Sequence, residues 1–402
     1  MRRLMEKTDR PRAAAALLPA APEEEAARSA VVPGRDVEIH LQAYHAAGED
    51  PAVQARGAYD NLFREVRRRG GRPADIVAEK IFFSDIAAQI DAVRAVRQEA
   101  YSAAGAALPA GACVQQPPAR AGRLLELQAC ALLPEDGGRP AARALSGLPA
   151  GSSGVSVRLA DHRRVYLANL AGGVAGDGLD VDGQAALMFR RAESCLAHER
   201  LAFRHVVRTW IYLPEIDGDY DLLNRARRNF FASRRIDPAP ASTGIQGAVL
   251  PRDRGCGMDL LAIEGDSRVR TRVLSAPTMN EAPAYGSDFS RGLRVDFADR
   301  GILFVSGTAS IDTDGSVAHP GDFVGQAGRM LANVKALLYA QGAGLGQIVS
   351  AITYLKRAAD RPALDDALRR FSFPAAAPHT VVVAGVCRPG WLCEMEAIAV
   401  VP

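Results

Sequence analysis

The chain has 402 residues, 48% hydrophobic and 24% charged, enough for several domains with cores of their own. A formal charge of +3 leaves no basic footprint for nucleic acid, and no apolar run approaches the roughly 18 residues that a membrane span requires. Six cysteines without a CxxC pair suit a reduced, cytoplasmic setting in which thiols pack as small hydrophobes.

Residues 1–34 read as a disordered or frayed tail. The stretch AAAALLPAAPEEEAA is too short for an export signal, carries Pro19 and Pro22, and runs into Glu23, Glu24 and Glu25. A first unit over 35–134 then opens with the strand VEIHLQAY (37–44). An amphipathic helix, AYDNLFREVRRR, follows, then the strand ADIVAEKIFF (74–83), the helix AAQIDAVRAVRQEAY and the closing segment GRLLELQACALLP (122–134). Gly, Pro and Ser mark 135–156 as a joint.

The same order recurs over 157–266: RVYLANLAG (164–172), AALMFRRAESCLAHE, FRHVVRTWIYL (203–213), YDLLNRARRNFF (220–231) and GCGMDLLAIEG (255–265). It recurs again over 267–402, where a joint at 276–290 precedes ILFVSGTASI (302–311), AGRMLANVKALLYA, GQIVSAITYL (346–355), ALDDALRRFSF and GWLCEMEAIAVVP (390–402). A period of roughly 130 residues is a domain triplication, not a solenoid of short repeats. Glu126, Asp259 and Glu394 fall at matching places in the three closing segments. The fold class expected is α+β, with a mixed sheet and helices on one face of each unit.

At the third unit the GQxxxxLxNVxALL helix, the IVxAITYL strand and the closing CRPGWLCEMEAIAV resemble the RidA (YjgF) superfamily. Single-unit members form homotrimers with ligand clefts between subunits, so the resemblance implies an intrachain pseudo-trimer of three tandem RidA/YjgF-like repeats, monomeric in solution. The simple enzymes of the superfamily hydrolyse imines and enamines, and hold the substrate carboxylate with an arginine upstream of the closing glutamate. Here the equivalent places hold His379, Thr243 and Gly111.

A second set of motifs, YGSDFSRGLRV (285–295), FVSGTASI, VCRPGWLCE, RTWIYLPEI (208–216), YDLLNRARRNFF and ASTGI (241–245), is similar to the chorismatase family over about residues 160–402. That resemblance implies cleavage of the enolpyruvyl ether of chorismate, without cofactor, to pyruvate and a benzoate or dihydrobenzoate. In that family a cysteine at the place of Cys387 accompanies the branch that makes 3-hydroxybenzoate, in which the substrate's own hydroxyl displaces the side chain.

The residues themselves are compatible with such chemistry. Cleaving an enol ether begins with a proton delivered to the vinyl carbon, which a carboxylic acid can supply when an apolar setting raises its pKa. Glu394, within LCEMEAIAV, is the expected donor; Glu396 shares its face of the strand. Cys387 is either a product-directing partner of Glu394 or a buried strand thiol, and Ala309 a further candidate determinant of product. Chorismate carries two carboxylates, so fork-shaped cations are needed: Arg291 first, then Arg388 and Arg227, with Tyr285 and Tyr212 as hydroxyl donors.

The seven histidines show no HExxH or HxxxH spacing, and neither a P-loop nor a GxSxG motif occurs, so no metal, nucleotide or nucleophile-elbow site is expected. The partner expected is a small molecule alone. Two other readings stand beside this one: another enzyme of the fold acting on an imine or an unknown carboxylate, and a silent ligand-binding scaffold.

Overall fold

The computed structural model describes residues 27–45, 48–133, 141–173, 176–250, 253–281 and 288–402. The first sheet comprises β1 (Ala27–Val32), β2 (Val37–Ala43), β3 (Ile76–Phe83), β4 (Ala110–Gln115) and β5 (Leu125–Leu133), in the order β1-β2-β5-β3-β4. Only β3 and β4 run parallel, because the helix α2 (Ile86–Ala103) carries the chain back between them; α1 (Pro51–Arg68) links β2 to β3. Asp50 caps α1 by accepting from the Ala52 amide at 2.7 Å, and Pro51 sits at the first turn, where its missing N–H is harmless.

The second sheet comprises β6 (Ala141–Ala144), β7 (Ser153–Arg158), β8 (His162–Ala171), β9 (Val206–Leu213), β10 (Ala241–Gln246) and β11 (Gly257–Gly265), ordered β10-β9-β11-β8-β7-β6. Its helices are α3 (Val181–His198) and α4 (Ile216–Arg234). The third sheet, β12-β13-β14-β17-β15-β16, is built from β12 (Arg270–Val273), β13 (Gly292–Asp296), β14 (Gly301–Ala309), β15 (Ile348–Leu355), β16 (His379–Val383) and β17 (Cys393–Val401), with α5 (Phe323–Tyr339) and α6 (Arg361–Arg370). Thus β2-β5-β3-β4, β8-β11-β9-β10 and β14-β17-β15-β16 are one topology written three times.

Two expected boundaries move. Residues 27–32, expected in the frayed tail, form β1, which pairs with β2 and buries Ala30 and Val32 beside Val349 of β15. Residues 141–144 and 153–156, expected within the joint at 135–156, belong to β6 and β7; Val155 and Val157 pack against Val77 and Ala110 of the first unit. Alternating valines inside a Gly- and Ser-rich stretch make β7 a strand despite its loop-like composition.

The three units close on one another as an intrachain pseudo-trimer. At each junction the last parallel strand of one unit docks on the first core strand of another. Asn169 of β8 accepts from the Cys113 amide of β4 at 2.9 Å and donates to the Gly111 carbonyl at 2.7 Å. Gln42 of β2 makes the same double contact with His379 of β16, at 3.0 and 2.8 Å. Between β10 and β14, the Ser242 amide donates to Ser306 Oγ at 2.9 Å and the Gly307 amide to Thr243 Oγ1 at 3.0 Å. The inner sheet faces surround a central cavity of about 130 Å³ that Lys80, Arg208, Trp210, Asp259 and Glu396 help to line. Among the described residues, no helix is long and apolar enough to cross a membrane.

Candidate active site

The junction between the second and third units brings together most of the expected site. Strand alternation turns Cys393, Met395 and Ala397 of β17 toward the helices and Glu394 and Glu396 toward the junction. Burying an apolar side chain as large as Met395 contributes ~1.5–3 kcal/mol, so the same packing that anchors β17 holds the two glutamates in place. Glu394 stands across from Ala309 on β14 and Tyr354 on β15.

The carboxylate of Glu394 lies over Gly307, where β14 bulges: a Cβ on Gly307 would overlap Glu394 Oε1 and come within 3.1 Å of Thr243 Cγ2. Only glycine permits that approach.

The two glutamates have opposite electrostatics. Burial, reinforced by the nearby Glu396 charge, raises Glu394 to about 8 despite Arg291 and Arg208, so it is a neutral acid at neutral pH. Burial would raise Glu396 too, but Arg208 and Lys80 override it and hold that carboxyl below its ordinary value. Arg208 Nη2 lies 2.8 Å from Glu396 Oε2, Trp210 Nε1 donates to Oε1 at 2.6 Å, and the Tyr354 hydroxyl donates to Oε2 at 3.1 Å. Arg208 also donates to Thr243 Oγ1, which links the pair to the floor of the site.

Helix α4 reaches the same junction, where Tyr220 meets Cys387. Tyr220, Asn224 and Arg227 recur at i, i+4 and i+7 and so share one face. Arg227 is 1% exposed and donates to Asn224, while its Nε and Nη1 have no hydrogen-bond partner among the described residues. Its guanidinium lies 5.5 Å from the Phe289 ring centroid, and Arg291 lies 5.9 Å from the same ring. Arg291 is anchored by the Asn280 carbonyl at 2.8 Å.

Cys387 follows Val386, whose bridge to Ile245 of β10 delivers the thiol to α4, where it meets the Tyr220 side chain in a hydrogen bond. Burial, then the Glu394 charge, pushes the thiol up to about 12. It is a neutral thiol, not the low-pKa cysteine that nucleophilic or acid–base work would need.

Two expected residues are placed elsewhere or differently, and a third is not described. Tyr212 is withdrawn from the site: its hydroxyl donates to Asp259 Oδ2 at 2.7 Å, in the packing between sheets. Arg388 donates to the Gly315 carbonyl at 2.8 Å and lies over the Trp391 ring, which ties the segment 388–391 to a neighbouring turn. Tyr285 lies outside the described residues.

The expected equivalence of Asp259 with Glu126 and Glu394 also shifts by two residues. Glu126 faces Phe82 and Glu394 faces Tyr354, but Asp259 faces Trp210, the counterpart of Ile352, which faces Glu396. Asp259 is therefore the partner of Glu396, and the bulge opposite it at Ala168–Asn169 matches the bulge at Ser306–Gly307. Sequence reasoning gave no role to Tyr220, Gly307 and Arg208, and named Thr243 only as standing where the superfamily's arginine would be. All four lie inside the motifs quoted for the chorismatase resemblance, and the helical spacing of Tyr220 from Arg227 was a further signal.

Two clusters have metal-like donor sets, Glu38–His40–Cys130 and Asp36–Asp161–His162. In the first, Arg164 Nη1 sits 2.8 Å from Glu38, and burial drives the Cys130 thiol well up. In the second, His162 accepts from Arg164 Nε at 3.1 Å and pairs with Asp161 at 2.7 Å. The donors are thus engaged by arginine and by one another, a poor setting for a cation.

Residues 279–401 match the family model described as Endoribonuclease L-PSP. The chain is 30% identical over 99 residues to the 3-aminoacrylate deaminase RutC of Acinetobacter baylyi, covering 24% of this chain and 78% of that protein. It is 31% identical over 120 residues to a RutC family protein of Pyrococcus abyssi, covering 30% of this chain and 91% of that one. A crystal structure of a chorismatase superposes with a TM-score of 0.60 at 17% identity, over 81% of this chain and 93% of the other, a likeness of fold that extends across all three units. The chain therefore belongs to the RutC family, within the RidA/YjgF superfamily, and carries the fold three times in a chorismatase-like arrangement.

Proposed function

We propose that the cleft between the second and third units cleaves the enolpyruvyl ether of chorismate, giving pyruvate and 3-hydroxybenzoate. The observation that carries this reading is that a neutral acid, Glu394, and a buried guanidinium, Arg227, with two unpartnered N–H groups, both reach the Cys387 thiol where the two units dock. An uncompensated buried cation favours a bound carboxylate, and a carboxyl that keeps its proton at neutral pH suits protonation at carbon.

Glu394 would deliver its proton to the vinyl methylene, making an oxocarbenium-like centre. The C–O bond to the ring then breaks and the side chain leaves as pyruvate. The ring hydroxyl that displaces it gives up a proton, which restores Glu394, and aromatisation of the arene-oxide-like intermediate gives the hydroxybenzoate. No water, metal or redox cofactor enters this balance. Arg227 and Arg291 would each hold a carboxylate, with Phe289 between them.

Cys387 acts here as a neutral thiol packed between the second and third cores, where it limits attack by water and favours the internal displacement. Ala309, small and directly across from Glu394, leaves room for the ring. All six cysteines are free, which suits the cytoplasm, and the clefts are completed within one chain, which suits a monomer.

Incubating the purified protein with chorismate and no cofactor, then identifying products by chromatography and mass, tests the reading. Pyruvate with 3-hydroxybenzoate is expected. Pyruvate with a dihydroxycyclohexadiene acid would keep the reaction and replace the product; unchanged chorismate, from folded protein, would overturn it. The identity with an enamine deaminase favours one other substrate class, since the same acid could protonate an enamine carbon; turnover of 3-aminoacrylate in a parallel assay distinguishes the two.

A further inference from the structure

The junction between the third and first units repeats the frame of the candidate active site with a different charge pattern. Glu126 stands opposite Phe82 on β3 as Glu394 stands opposite Tyr354 on β15. Arg361 opens α6 three residues before the buried Leu364, the place that Tyr220 holds before Leu223 on α4. Around Glu126, Arg28, Arg120, Arg123 and Arg361 wall a narrow cleft of about 10 Å³.

Four guanidiniums meet two carboxylates there. Arg123 binds Glu126 at 2.9 Å and Arg361 binds Asp365 at 2.9 Å, while Arg28 and Arg120 make no ion pair among the described residues. His379 adds no negative partner: its ring is buried, and Nε2 is bonded to Thr353 Oγ1 at 2.8 Å. Burial and then the charges of Arg361 and Arg28 hold that imidazole neutral, at about 3. Arg361 also feels Arg120 across the cleft. Like charges gathered this closely repel one another unless an anion lies among them.

We propose that this cleft is a second ligand site, which binds a small doubly charged oxyanion, a dicarboxylate or a phosphate, and does not convert it. The planar forks of Arg28, Arg120 and Arg361 match either oxyanion. Glu126 accepts from Gln42 and Arg123 and so is an anchored acceptor, not a spare acid. As it stands the cleft has room for little more than a water, so a compact head group enters only as the exposed Arg120, which forms one wall, swings aside.

Isothermal titration of the full-length protein at low ionic strength, with inorganic phosphate and separately with malonate, tests this. A parallel R227M protein removes one of the two active-site guanidiniums, and the part of its binding that is lost when R120Q/R361Q is added reports the second cleft. One equivalent of at least one probe should bind R227M, and R120Q/R361Q should weaken it at least about tenfold while chorismate turnover, where present, is unchanged. Which probe binds identifies the oxyanion. Should the double variant fold poorly, R120Q alone, at an exposed residue without an ion pair, should still weaken binding. Silence of both probes with folded R227M protein, or equal binding by the folded arginine variants, overturns the proposal.

Discussion

Glu394 and Glu126 occupy the same position on equivalent strands and have been given opposite neighbours. Glu126 is engaged by Gln42 and Arg123 and faces Phe82, which has no hydroxyl. Glu394 has an anionic carboxyl two residues away, an apolar burial and a glycine beneath it. The difference teaches that a strand position sets where a carboxyl points, while the adjoining unit decides whether it is an acid or an anchored acceptor. In the third unit burial does most to keep the proton on Glu394, and Glu396, kept ionised by Arg208 and Lys80, adds to it.

The sharpest way to break the comparison is Glu394→Gln, which should retain the fold and lower kcat for pyruvate release by ~10²–10⁴. Glu126→Gln should leave that rate untouched. Gly307→Ala comes next: its methyl would displace the Glu394 carboxyl, costing about 10²-fold in kcat and ~1–3 kcal/mol of stability read by denaturant titration. Arg227→Met should raise KM about tenfold or more without lowering Tm, because an incompletely paired buried cation gives way to an apolar side chain.

The smallest effects lie in pH dependence. Between the ordinary carboxyl value of 4.5 and about 8, the folded protein binds the Glu394 proton more tightly than the unfolded chain. That contribution to stability is therefore full below 4.5 and lost as pH rises through about 8. Activity should follow, falling tenfold per pH unit above about 8 as the acid ionises. Glu396→Gln should move this limb to lower pH, by removing the charge that opposes ionisation of Glu394.

Much of this was legible in the sequence because it is local. The triplication, the order of elements and the face shared by Glu394 and Glu396 follow from periodicity alone. The match of Asp259 to Glu394 failed because counting residues cannot see a register set by cross-strand pairing, and only Trp210 opposite Asp259 reveals the two-residue shift. The strands β1, β6 and β7 were hidden in Ala-, Gly- and Ser-rich stretches, and their stability comes from neighbouring sheets. Tyr212 seemed a free hydroxyl until Asp259 was placed beside it. The burial of Arg227 arises where two units dock, an event no single helix announces.

The closing of three units within one chain has a consequence for how such a protein can change. In a ring of identical subunits every substitution appears in all the clefts at once, so no cleft can be altered alone. Here each junction is encoded by its own residues: Asn169 locks one, Gln42 another, and Thr243 with Gly307 the third. A change at one address leaves the other two intact. Covalent linkage thus turns a symmetric assembly into three separately inherited sites, each free to acquire a chemistry of its own.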